Sequence, residues 1–203
     1  MVATAPRIGV LALQGDVEEH LRALAASGAE AEPVGDVDAL ARVGGLVIPG
    51  GESTTMSKLA IRDGLLDPLR RARADGMPMY GSCAGMIMLA DRVLDARSDQ
   101  ETIGGLEVTV RRNAFGRQVD SFETDVDVAG LPGGPFPAVF IRAPWVESAG
   151  ESVDVLARVR AAAGADTIVA VRQGPLLATS FHPELTGDLR IHEMFVGIVR
   201  QYS

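Results

Sequence analysis

The chain has 203 residues, a formal net charge of −8 and a 47% hydrophobic composition. That acidic balance argues against nucleic acid, whose phosphates need a basic face, and no apolar run reaches the ~20 residues that span a bilayer. A single cysteine, Cys83, excludes an internal disulfide and points to a reducing cytoplasm, while three histidines (His20, His182, His192) make a structural zinc site improbable, so no metal or other cofactor is implied. The opening residues Met1 to Arg7 are too short and too weakly charged for a signal peptide. Residues 1–203 suit one domain with its own core, and no repeat, linker or low-complexity segment divides them.

Arg7 to Leu13 is a continuous β-rich run of the kind buried on both faces of a parallel sheet. Asp16 is placed as an N-cap, and Val17, Leu21, Leu24 and Ala25 recur at helical spacing until Gly28. A second strand over Glu30 to Val34, a short helix near Asp38 to Ala41 and a third strand over Gly45 to Ile48 follow. This βαβαβ rhythm predicts a doubly wound, flavodoxin-like α/β fold with a mostly parallel sheet.

The stretch Pro49-Gly50-Gly51-Glu52-Ser53-Thr54-Thr55 then falls at the carboxyl end of a strand, where such sheets bind ligands. Its glycines leave backbone N–H groups exposed, as an oxyanion donor requires. An ordinary strand-to-helix turn capped by Ser53 or Thr54 accounts for the same residues equally well. Residues 56–75 read as helix, broken at Asp63-Gly64 and restarted near Leu66.

Met79-Tyr80 is a fourth strand leading into Gly81-Ser82-Cys83-Ala84-Gly85 and a helix to about Ala90. A G-x-C-x-G frame between strand and helix is the thiol form of a nucleophile elbow. The helix start favours thiolate, the reactive form. A lone cysteine is ordinarily a small buried hydrophobe, so partners elsewhere must carry the chemical reading. The methionines around the elbow, Met77, Met79, Met86 and Met88, are expected mostly in the core.

Residues 91–105 are polar and read as loop. Beyond them Leu106 to Arg111 and Val119 to Val128 alternate as antiparallel strands do, with a polar and aromatic turn over residues 112–118 between them. Gly130 to Pro137 is loop, Ala138 to Ile141 a buried strand ending at Arg142, and Asp154 to Val159 with Thr167 to Val171 a hairpin. An arginine at a buried strand's end is costly unless it binds something. The last strand, Leu176 to Phe181, runs into His182-Pro183-Glu184, and Ile191, Phe195, Ile198, Val199 and Tyr202 mark an amphipathic final helix.

Strand ends converge on one edge of a parallel sheet. A thiol there needs a base, and the base needs a carboxylate to fix its tautomer. His182 and Glu184 supply both roles. His20 and His192 fall on helices and are expected to be solvated or capping residues. The residues alone also accommodate a stand-alone cysteine hydrolase of γ-glutamyl amides, or a binding subunit that keeps the fold without the chemistry.

The segments IGVLALQGD (8–16), PGGESTTM (49–56), GSCAG (81–85), RNAFGRQVDSF (112–122), FIRAP (140–144) and SFHPELT (180–186) resemble, in order, the glutaminase subunit of the two-component pyridoxal phosphate synthase. That family consists of class I, triad-type glutamine amidotransferases. GSCAG with HPE matches the superfamily, while PGGESTTM and RNAFGRQVDSF narrow the match to the vitamin B6 subunit.

The resemblance implies the class I amidotransferase architecture with an antiparallel extension to the sheet, and hydrolysis of L-glutamine to glutamate and ammonia. It makes Cys83 the nucleophile, His182 the general base and acid, and Glu184 the orienting carboxylate. Gly51, Glu52, Ser53, Arg112, Ile141 and Arg142 match glutamine-binding positions. The N–H groups of Gly51 and Ala84 are candidate donors to the oxyanion that thiolate attack creates, and Gln14 matches the loop residue that helps order the oxyanion site when the partner docks. The partner implied is a TIM-barrel synthase subunit in a hetero-oligomer that uses the ammonia, in the cytoplasm, without membrane or nucleic acid.

Overall fold

The computed structural model describes residues 4–112, 121–160 and 166–202. In chain order its first half comprises β1 (Arg7–Leu11), α1 (Val17–Ala26), β2 (Glu30–Val34), α2 (Val37–Leu40), β3 (Gly45–Ile48), α3 (Ser53–Arg62), α4 (Leu66–Ala74), β4 (Met79–Ser82), α5 (Ala84–Leu89) and β5 (Ala90–Leu94). The second half comprises β6 (Leu106–Arg111), β7 (Ser121–Val126), β8 (Phe136–Ile141), β9 (Trp145–Ala149), β10 (Asp154–Arg160), β11 (Asp166–Gln173), β12 (Leu176–Thr179), a 3-10 turn over Pro183–Leu185, and α6 (Arg190–Tyr202).

The main sheet runs β2-β1-β3-β4-β12-β11-β9-β6-β5, with β10 paired to β11. Its first five strands are all parallel. With β12 as the fifth, they stand in the 2-1-3-4-5 flavodoxin order. From β12 the sheet continues antiparallel through β11, β9 and β6, which is the expected extension. A separate two-stranded ribbon, β7–β8, stacks Phe122 on Phe140 with ring centroids 4.6 Å apart.

Side-chain alternation along the parallel strands splits the core into two layers. Leu11, Ile48, Met79 and Ala178 face one layer with Met56, Leu69, Met86 and Met88. Val10, Val47, Tyr80 and Leu177 face the other with Leu24, Phe140, Phe181, Phe195 and Val199. Each fully buried large side chain stabilises the fold by about 1.5–3 kcal/mol, so the strand interiors dominate stability and leave the strand ends for chemistry. Three of the four elbow methionines are fully buried, as core packing requires.

Several elements depart from the sequence expectations. The polar stretch after α5 is not loop throughout, because β5 pairs with β6 at the edge of the sheet and leaves Asp91 and Arg92 in solvent. β9 was not anticipated at all; its burial is broken by Glu147 and Ser148. β8 begins at Phe136 and includes Pro137, which a two-stranded ribbon tolerates because each strand has a free side. The same strand alternates between buried and exposed positions instead of being buried throughout. In α1 the buried stripe takes His20 in place of Ala25, and Tyr202 of α6 is exposed. The turn expected over residues 112–118 lies outside the described residues beyond Arg112.

Candidate active site

Register brings the functional segments together. β4 and β12 pair with Ser82 opposite Thr179, and β3 pairs with β4 through Ile48 and Gly81. The residues just beyond these pairs (Gly50-Gly51, Cys83 and His182) therefore leave the sheet at the same edge. The Cys83 N–H donates to the Thr179 carbonyl at 2.8 Å, tying the elbow to the end of β12. Tyr80 Oη and Thr179 Oγ1 are 2.8 Å apart, and the Thr179 hydroxyl donates on to the Phe181 carbonyl.

Cys83 sits at φ 49°, a left-handed conformation unusual for a non-glycine residue. That places the thiol at a sharp strand-to-helix corner, the strain a nucleophile elbow carries. The flanking glycines are required by close backbone approach. A Cβ on Gly81 would come within 2.4 Å of the Gly85 backbone, and one on Gly85 within 2.1 Å of the Ile48 carbonyl oxygen. The Cys83 side chain is nearly covered, with its sulfur 3.9 Å from the Ile141 carbonyl oxygen.

His182 stands close enough to Cys83 for the two to interact electrostatically, and its Nδ1 lies 2.7 Å from Glu184 Oε1. Both side chains are almost wholly buried. Burial works against a charged imidazole, yet the interactions with Cys83 and Glu184 outweigh it and push His182 up to about 10. Burial raises the Glu184 carboxyl above its ordinary value, with the His182 hydrogen bond opposing that shift. The His182 backbone N–H donates to the Val139 carbonyl at 2.9 Å, which fastens β8 to the site.

The glycine turn packs directly against this group. A Cβ on Gly50 would meet His182 Cε1 at 2.3 Å, and Gly51 adopts φ 148°. The helix after the turn is capped by Glu52, not by Ser53 or Thr54. The Glu52 carboxylate accepts from the Thr54 and Thr55 N–H groups and pairs with Arg112 at 3.0 Å. Burial opposes its ionisation, but the Thr55 and Thr54 hydrogen bonds hold its pKa down at about 2. Gln14 lies across the turn, its Oε1 accepting the Glu52 N–H at 2.7 Å.

Ser53 is buried and hydrogen-bonded to Gln100, and Arg112 also reaches Thr54 and Gln100. A polar cavity of about 500 Å³ opens beside Glu52 and Arg112, with Lys58 and Arg97 in its wall. Ile141 ends β8 and Arg142 follows it at the exposed rim. Arg142 has φ 41°. Contrary to the expectation of a buried strand end, Arg142 is exposed, and no described residue forms an ion pair with it.

The sequence reading missed three residues here. Asp16 does not cap α1 with its side chain; its carboxylate lies 3.5 Å from His182 Nδ1. His20 and His192 are neither solvated nor capping. Both are fully buried, with His20 Nδ1 3.0 Å from His192 Nε2, and His20 Nε2 3.1 Å from Ser82 Oγ and 3.4 Å from Glu184 Oε2. A signal was present: His20 falls three residues after Val17 and four before Leu24, inside the apolar stripe. Asp16, His182 and Glu184 each offer a ligand atom within 4.8 Å of the others. The Glu184 hydrogen bond and the Asp16 charge contact at His182 Nδ1 already account for that clustering.

The profile of the SNO glutamine amidotransferase family matches residues 10–201. Among curated proteins, the chain is 66% identical over 194 residues to the pyridoxal 5'-phosphate synthase subunit PdxT of Acidothermus cellulolyticus, covering 96% of this chain and 94% of that one. It is 63% identical over 195 residues to the same subunit of Streptomyces coelicolor, with 96% and 94% coverage. A solved structure described as a glutamine amidotransferase superposes with a TM-score of 0.87 at 48% identity, covering 95% of this chain and 98% of its own.

Proposed function

The chain belongs to the SNO glutamine amidotransferase family, and from that premise we propose that it is the glutaminase subunit of a pyridoxal 5'-phosphate synthase. It hydrolyses L-glutamine to L-glutamate and ammonia, and delivers the ammonia to a separate synthase subunit for vitamin B6 biosynthesis. The relatives' names support the pathway. The observation that carries the chemistry is the meeting of Cys83, His182 and Glu184 at the edge where β4 and β12 end, with His182 hydrogen-bonded to Glu184.

The residues divide the work as follows. Cys83 Sγ attacks the carboxamide carbon, and the N–H groups of Gly51 and Ala84 receive the oxyanion. His182 gives its proton to the departing ammonia, leaving a γ-glutamyl thioester, and then takes a proton from the water that cleaves it. Glu184 holds the His182 ring by Nδ1. This leaves Nε2 for the proton traffic, as a triad requires.

Gly51, Glu52, Ser53, Arg112, Ile141 and Arg142 form the glutamine site, with unequal roles. Arg112 and the Glu52 carboxylate are engaged with each other and brace the turn. The fork of Arg142, which pairs with no described residue, is therefore the group that suits the substrate's α-carboxylate.

Gln14 bridges to the Glu52 N–H, so it reports on the oxyanion turn to whatever covers this edge. In this reading the TIM-barrel synthase covers it, and docking sets activity. No helix among the described residues is long and apolar enough to cross a membrane, which fits a cytoplasmic complex. Glutamate release should be measured with and without the synthase. Cys83→Ala should abolish it, and docking should raise it. Full activity of Cys83→Ala, or equal rates free and docked, would overturn the corresponding part of the reading.

A further inference from the structure

The buried histidine pair behind the triad has a hydrogen-bond logic that decides its protonation. One proton lies between His20 Nδ1 and His192 Nε2. Were it on His20, the His192 proton would sit on Nδ1, which is buried without a partner, and His20 would turn a bare nitrogen toward Glu184 Oε2, 3.4 Å away. An orphaned buried N–H is the rarer and costlier defect. With the proton on His192 Nε2 instead, His20 accepts at Nδ1 and carries its own proton on Nε2. That proton is donated to Ser82 Oγ at 3.1 Å, with Glu184 Oε2 3.4 Å from the same nitrogen. Among the described residues, what this arrangement leaves unpaired on the two histidines is an acceptor, His192 Nδ1.

We propose that His20 is a positioning residue for the glutaminase reaction: as a neutral imidazole with its proton on Nε2, it holds the outer oxygen of Glu184. The inner oxygen is then free to orient His182. Glu184 Oε2 is buried and has no hydrogen bond among the described residues; His20 Nε2, 3.4 Å away and itself bonded to Ser82 Oγ, is the polar group that faces it and steadies it by charge–dipole contact. Neutrality matters here. A cationic His20 would compete with His182 for the carboxylate, and burial together with the neighbouring His192 drives the His20 pKa well below the ordinary histidine value. Ser82, at the end of β4 beside Cys83, ties the same proton to the elbow.

The proposal rests on the glutaminase reading, and the experiment separates the two. With the full chain in complex with the synthase, His20→Leu should lower kcat ~10-fold while KM for glutamine stays within about twofold. His20→Gln, whose amide keeps a donor near Nε2, should recover most of the loss. Nitrogen-15 histidine spectra of the wild-type chain, simplified by its three histidines, should show His20 neutral and protonated on Nε2 at pH 7. Those spectra decide the case even if His20→Leu does not fold.

A proton on Nδ1, a cationic His20, a folded His20→Leu with unchanged kcat, or a change confined to KM would overturn the proposal. Cys83→Ala is assayed alongside. If that variant stays active, the glutaminase reading falls. If it is inactive while His20→Leu is unimpaired, only the role of His20 falls.

Discussion

His182 Nδ1 lies 2.7 Å from Glu184 Oε1, although only one residue, Pro183, separates the two in sequence. The Pro183–Leu185 turn of 3-10 helix folds the carboxylate back onto the ring, and burial excludes the water that would loosen the pair. Glu184→Gln keeps the shape and removes the charge that fixes the ring and stabilises its protonated form. Assayed with the synthase present, kcat should fall by roughly 10²-fold with little change in KM. An unchanged kcat would show that the ring is oriented by something else, with Asp16 the nearest alternative.

The elbow makes a sharper demand on one methyl group. A Cβ at Gly85 would sit 2.1 Å from the Ile48 carbonyl oxygen, a backbone atom that cannot move without disturbing β3. Gly85→Ala should therefore cost about 2–4 kcal/mol of stability and also displace Cys83. Urea unfolding together with alkylation of Cys83 reads both effects. Wild-type stability in this variant would mean that α5 shifts more freely than its fully buried surface suggests.

Arg142 offers the opposite case, a residue that matters to the substrate and not to the fold. It is exposed and forms no ion pair with a described residue. Arg142→Ala should leave the unfolding midpoint within about 0.5 kcal/mol of wild type and raise KM for glutamine by about 10- to 100-fold, the loss of a charge-assisted bidentate contact. Unaltered KM would move the α-carboxylate elsewhere, with Arg112 the first place to look.

Acid should destabilise the protein through its buried imidazoles. Burial lowers His192 from the ordinary 6.5 to about 4, and His20 shifts in the same direction. For a group depressed in the folded state, stability is full above pH 6.5 and declines as pH falls toward 4, because only the unfolded chain takes up the proton. For His192 alone the loss over that window is about 3 kcal/mol. His182 acts on the other side: raised to about 10, it stabilises fully below pH 6.5 and progressively less as pH climbs toward 10. Urea midpoints at pH 7.5 and pH 5 should therefore diverge less in His192→Leu than in wild type, and equal divergence would refute the assignment.

The parallel half of the fold was legible because each element carries its own signal. β3 has the bounds its apolar run marks, β2 has the bounds expected of it, and Gly28 and Gly64 end helices where a positive φ is needed. The extension was less readable. β5 and β9 hold few buried residues, so neither period 2 nor hydrophobicity marks them; sheet pairing alone makes them strands. Glu52 shows the same limit at a single position. The choice among Glu52, Ser53 and Thr54 as cap depends on where the chain turns out of β3, which no local pattern encodes.

For the site, the sequence by itself determined the chemical groups: a thiol between glycines, a histidine and a carboxylate one residue apart, and a glycine turn after a strand. Each is a local pattern with a local physical reason. What the tertiary structure decided is which groups meet. The register of β12 on β4 sets His182 beside Cys83 across a hundred residues of chain, and the packing of α1 and α6 sinks His20 and His192 behind Glu184. Asp16 likewise became a neighbour of His182 instead of a cap. These contacts arise from burial between distant segments, and a buried histidine has the same spelling as a solvated one until the fold removes the water.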